Sequence, residues 1–89
     1  MKMIQKYPLK ITDVQTLTIP GPFEPLTVQM QGDKPCLWVQ VDLAQESSRK
    51  LRVAIHGTGH WLRSDIDKYL GTFQLLEGAL VFHAFTLKD

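Results

Sequence analysis

The sequence predicts a small all-β domain, an antiparallel barrel or sandwich of about six strands. Three observations carry that expectation. Apolar and polar residues alternate in several separate stretches, β-branched and aromatic residues fill those stretches, and turns bearing Gly or Pro divide them every ten or so residues. One domain spans 1–89, because 89 residues bury roughly 60–65% of their unfolded surface and support one modest core.

The first segment to read as a strand is Leu9 to Ile19, where Leu9, Ile11, Val14, Leu17 and Ile19 alternate with one slip, the mark of a bulge or bend. Pro20-Gly21-Pro22-Phe23-Glu24-Pro25 then predicts a turn or edge crossing, since proline donates nothing to a strand ladder. Leu26, Val28 and Met30 alternate cleanly, Gly32-Asp33-Lys34-Pro35 turns the chain, and Leu37, Val39 and Val41 resume the pattern. These form a β-hairpin. Ala44 to Lys50 reads as a loop, and Leu51, Val53 and Ile55 as a strand ended by Gly57 and Gly59. Ser64 ahead of Asp65 and Asp67 is a helix-start signal, so one short helical turn is expected near 64–69.

Gly71 to Leu76 and Ala79 to Leu87 flank Glu77-Gly78 as a second hairpin, with Gly78 suited to positive φ. The last strand is apolar on both faces. It must lie centrally in a sheet or be completed by another subunit, and self-association into a homo-oligomer is the expectation drawn from it.

A net charge of +1 gives no field to recruit bulk nucleic acid or an anionic membrane. Lys2, Lys6 and Lys10, and the cluster Arg49, Lys50 and Arg52, read as solvated surface. A single cysteine, Cys36, excludes an intrachain disulfide and a cysteine-based zinc site. No apolar run has the length of a signal peptide or a membrane span, so a cytoplasmic location is expected.

The distinctive segment is His56-Gly57-Thr58-Gly59-His60-Trp61 at a strand end. Four uses compete for it. The glycines can let backbone N–H groups converge on an anion, with Thr58 and His60 adding hydrogen bonds and Trp61 stacking on a planar group, although the same residues also suit a plain turn with Trp61 in the core. His56, His60 and His83 could ligate a metal, but H-x3-H is diagnostic on a helix and Gly-Thr-Gly argues for a loop. His60 as a general base lacks a neighbouring nucleophile, and His56 and His83 can equally be satisfied core or interface histidines. No cofactor is expected, and binding without catalysis fits better than an enzyme. Cys36 and the aromatics Trp38, Tyr7, Phe23 and Tyr69 read as packing residues, with a pocket or interface lining as the other possibility for the aromatics.

Six segments in order, KYPL at 6–9, ITDVQ at 11–15, PCLW at 35–38, GTGH at 57–60, GTFQL at 71–75 and GALVFHAF at 78–85, resemble a family of small uncharacterised proteins encoded by phages and prophages. The resemblance covers almost the whole chain and implies context more than mechanism. By analogy with small phage inhibitors, it implies an oligomeric sponge that sequesters a phosphorylated, nucleotide-type immune signal. His56, Gly57, Thr58, Gly59 and His60 would contact the anion, Trp61 or Tyr7 would stack, and Arg52 and Arg63 would pair its charge. The alternative is a protein–protein module that inhibits a host protein or serves in phage assembly.

Overall fold

The computed structural model describes residues 1–89 and contains seven strands and no helix. They are β1 (Lys2–Pro8), β2 (Val14–Pro20), β3 (Phe23–Gln31), β4 (Lys34–Asp42), β5 (Ser48–Gly57), β6 (Ile66–Leu75) and β7 (Leu80–Leu87). Every pairing is antiparallel, in a three-stranded sheet ordered β1-β4-β3 and a four-stranded sheet ordered β2-β5-β7-β6. The two sheets do not close into a barrel; they form a sandwich.

Alternation decides what the sandwich encloses. Leu37, Val39 and Val41 of β4 face Leu51, Val53 and Ile55 of β5 in a core that also holds Ile19, Val28, Leu70, Phe73 and Ala84. Burying each of the larger side chains stabilises the fold by about 1.5–3 kcal/mol. Along one side the sheets lock together without a ladder. The Thr27 hydroxyl donates to the Leu70 carbonyl at 3.2 Å, and Gly71 lets β6 pass so close to β3 that a β-carbon there would stand 2.5 Å from the Val28 carbonyl oxygen. The opposite side is open, and β1 and β2 each present an unpaired edge.

β7 lies between β5 and β6, so residues 58–65 must cross the sheet to reach β6. This strap runs over the outer face, because the Arg63 N–H reaches His56, whose neighbour Ile55 points into the core.

Several expectations need correction. No helical turn forms near 64–69: Ser64 and Asp65 make a turn, and β6 starts at Ile66. The Asp65 carboxylate is taken by Arg63 and its carbonyl by the Lys88 N–H, while the Lys68 N–H bonds the Thr86 hydroxyl. These bonds outcompete an isolated turn that cannot support itself. Leu9 to Ile19 is not one strand, since 9–13 form a bend clamped by Gln15, whose side-chain amide bonds Lys10 N and O. Pro25 lies inside β3, an edge strand of its sheet, at the bulge between Pro25 and Thr27, and edges and bulges are where strands tolerate proline. β1 pairs with β4 although its own residues show little alternation, giving seven strands instead of six. The two-faced apolarity of β7 is met within the chain by its central position.

Candidate functional site

The outer face of the four-stranded sheet gathers two of the three imidazoles, His56 and His83, with the hydroxyls of Thr58, Thr72 and Tyr69. Alternation along β5 sends Leu51, Val53 and Ile55 inward and leaves Arg52, Ala54 and His56 outward. On β7, Ala84 and Phe82 pack toward the core, which turns His83 and Phe85 out. Register then sets His56 beside His83 and His83 beside Thr72, with Phe85 between Ala54 and Tyr69. The His56 ring meets Phe85 edge-on at 5.7 Å, and Tyr69 tilts against the other side of Phe85 at 5.6 Å.

Across this row runs a hydrogen-bonded chain. The Thr58 hydroxyl lies 2.7 Å from His83 Nε2, the Thr72 hydroxyl 2.9 Å from His83 Nδ1, and the Tyr69 hydroxyl 2.5 Å from Thr72. A hydroxyl donates or accepts by rotating, so the chain serves either neutral tautomer of His83. It serves the imidazolium too: both ring N–H groups then donate, and the Thr58 hydroxyl donates to the Val81 carbonyl at 3.3 Å. The array therefore adapts to a ligand's donors or acceptors without carrying a fixed charge.

Beside it a hollow of about 250 Å³ is lined by Asp13, Ile55, His56, His60, Trp61 and Arg63. A smaller one of about 100 Å³ adjoins it, where Ile11 and Thr12 of the β1–β2 bend face Gly57, His60 and Phe82. The Trp61 indole at the rim is 97% exposed. Arg63 is engaged: its guanidinium donates to both Asp65 oxygens, at 2.9 and 3.0 Å. That bond pulls the Asp65 carboxyl below its usual pKa and raises the Arg63 guanidinium above its own.

A family model for a domain of unknown function, DUF7352, matches residues 1–89. The chain belongs to the DUF7352 family. No curated protein and no solved structure matches it.

Within this DUF7352 domain, His56, His60, Trp61 and Arg63 meet in one hollow, and Gly57 lies under the His60 ring, its hydrogen facing Cε1 where a β-carbon would stand at 3.0 Å. Thr58 turns away to His83. The anion nest is weakened, because the Thr58 N–H donates to Val81 and the His60 N–H to Gly57, both at 3.1 Å; Gly59 serves the turn with φ +88°. Arg52 lies outside the hollow, donating to the Lys88 carbonyl at 2.6 Å and standing 3.7 Å from Asp65. Tyr7 belongs to the other sheet, where its hydroxyl donates to the Gln5 side chain at 2.6 Å and burial pushes its pKa up. The reading of Trp61 as a core residue fails, since the strap holds it in solvent.

Sequence reasoning overlooked Asp13, Thr72 and the role of His83 in the hydroxyl chain. Nothing in their spacing foretells this. Thr58 and His83 meet through the β5–β7 pairing, and Thr72 joins through β6–β7.

Proposed function

We propose that this DUF7352 domain is a non-enzymatic binding protein that captures a phosphorylated, nucleotide-type ligand on the outer face of its four-stranded sheet. The observation that carries the reading is the Thr58–His83–Thr72–Tyr69 chain on the outer face, the face crossed by the strap that carries the exposed Trp61. Hydroxyls and an imidazole supply donors for phosphate or ribose oxygens, and an exposed indole offers a face on which a base stacks, worth about 1–3 kcal/mol. His60 at the hollow adds a donor.

Binding is favoured over nucleophilic chemistry by what stands behind the imidazole. Thr58 and His83 have the spacing of a nucleophile and its base, but Nδ1 of His83 meets the neutral Thr72 hydroxyl where a carboxylate would orient and stabilise an imidazolium. At about 250 Å³ the hollow is smaller than the roughly 300–1,000 Å³ of a typical small-molecule pocket. Enclosure by a second copy supports tight retention, and the open β1 and β2 edges leave surface for it. The resemblance to phage and prophage proteins supplies the setting: a cytoplasmic sponge that sequesters a host immune signal.

Thermal denaturation against a panel of cyclic dinucleotides and ADP-ribose derivatives tests this. A rise in Tm with at least one member, abolished by Trp61→Ala and reduced by His83→Ala, is the expected result; no shift with any member overturns it. A second reading, a protein–protein module, is favoured by Leu62, 61% exposed beside Trp61. In that case the panel stays silent, and one stoichiometric protein partner is captured by the native chain but not by Leu62→Ser.

A further inference from the structure

The strap is anchored at both ends. Near its start, Thr58 and His60 bond Val81 and Gly57 through their N–H groups; at its end, the Asp65 carbonyl accepts from the Lys88 N–H at 2.8 Å. Between them, the main chain of residues 61–64 makes one hydrogen bond, from the Arg63 N–H to His56 Nε2 at 3.2 Å. The segment carrying Trp61 and Leu62 is thus pinned to the sheet by a single imidazole nitrogen.

That imidazole is poorly provided for. His56 is 8% exposed, and because Nε2 accepts, the ring proton must sit on Nδ1, which is buried with no acceptor in reach. Phe85 beside it on β7 is uncharged. The titratable and charged groups around it are His83, its register partner on β7, which is already held by Thr58 and Thr72; His60 and Arg63 of the strap; and Asp13 of the β1–β2 bend, the single carboxylate lining the shared hollow. The Arg63 guanidinium is turned to Asp65.

We propose that His56 is a proton-operated latch for the strap. The neutral ring accepts the Arg63 N–H and holds residues 61–64 against the sheet. When Nε2 takes up a proton it becomes a donor facing a donor, the bond is lost, and the strap lifts. The latch controls the position of Trp61, and so rests on the proposed binding face for its consequence, not for its operation.

Amide hydrogen exchange followed by NMR on the ligand-free chain reads the latch directly. Expressed as a protection factor, which removes the intrinsic pH dependence of exchange, protection at Arg63 should fall roughly tenfold or more between about pH 8 and about pH 5.5. Val39 in the β4 ladder should hold its protection over the same range. His56→Gln places an amide oxygen that accepts the same N–H but does not titrate, so its Arg63 protection should stay level. Unchanged Arg63 protection in the native chain overturns the latch, as does an equal fall in His56→Gln, which would assign the effect to His60 or His83. A nucleotide panel that stays silent while Arg63 protection falls overturns the ligand reading and leaves the latch standing.

Discussion

At the scale of single residues, Trp61 separates binding from stability. A side chain that is 97% exposed contributes little packing, so Trp61→Ala should change unfolding free energy by no more than about 0.5 kcal/mol while removing ligand binding. Urea denaturation and the thermal-shift panel check the two halves. A large loss of stability would mean that the indole packs against the fold in solution. Thr72 makes the opposite case. Thr72→Val keeps the shape but leaves His83 Nδ1 and the Tyr69 hydroxyl without their shared partner, which should cost about 0.5–1.5 kcal/mol. The His83→Gln, Thr72→Val double variant should cost less than the sum of its parts, because both changes break one chain. The contiguous run His56 to Trp61 was legible in the sequence as a candidate site because its members are neighbours in the chain. His83, Thr72 and Tyr69 were not. They join Thr58 only once β7 is placed between β5 and β6, a long-range pairing that no local spacing encodes.

At the scale of elements, two glycines test how the sheets meet. A β-carbon at Gly71 would collide with the Val28 backbone, which cannot turn aside as a flexible side chain can, whereas nothing lies within 4 Å of Gly32, whose constraint is φ +61° in the β3–β4 turn. Gly71→Ala should therefore cost about 2–4 kcal/mol and Gly32→Ala about 1 kcal/mol. Equal costs would argue against the close β3–β6 contact. The β6–β7 turn stores strain of another kind, since Leu76 and Glu77 both hold positive φ, at 53° and 55°. Leu76 is 74% exposed, so Leu76→Asn loses little packing and relieves a conformation that leucine tolerates poorly; a gain of about 0.5–1 kcal/mol in chemical denaturation is expected. The hairpins of β3–β4 and β6–β7 were readable because alternation and a glycine turn agree there. β1 was not, because Lys2–Pro8 owes its extended form to β4 and buries little of its own. The helix-start signal at Ser64 misled for a related reason: bonds from Arg63, Lys88 and Thr86 claim the groups that a first helical turn would use.

At the scale of the whole molecule, the side-chain ties outside the ladders include those made by two carboxylates, Asp42 and Asp65. Asp42 at the end of β4 accepts the Ala44 N–H at 3.0 Å and the terminal ammonium at 3.1 Å, joining the start of β1 to the β4–β5 loop. Asp65 grips Arg63 within the strap and, more loosely, ties the strap to Arg52 on β5. Each carboxyl is held below its ordinary pKa, Asp42 first by the Ala44 N–H and Asp65 first by Arg63. A lowered folded-state pKa means that the unfolded chain takes up these protons sooner as acid is added. Stability from both is therefore complete above the ordinary carboxylate value of about 3.9 and drains away as pH falls through the lower folded-state range. Both side chains are about one-third exposed, at 31% and 33%, so water screens the pairs and the effect is modest and weakened by salt. Asp42→Asn keeps an oxygen for the Ala44 N–H but loses the charge, and Asp65→Asn weakens the grip of Arg63 in the same way. The double variant should begin with a lower Tm at neutral pH and lose less of it between about pH 5 and about pH 2.5 than the native chain, with the two curves converging at the acid end. Parallel curves would show that the acid sensitivity of the sandwich lies elsewhere among its carboxylates.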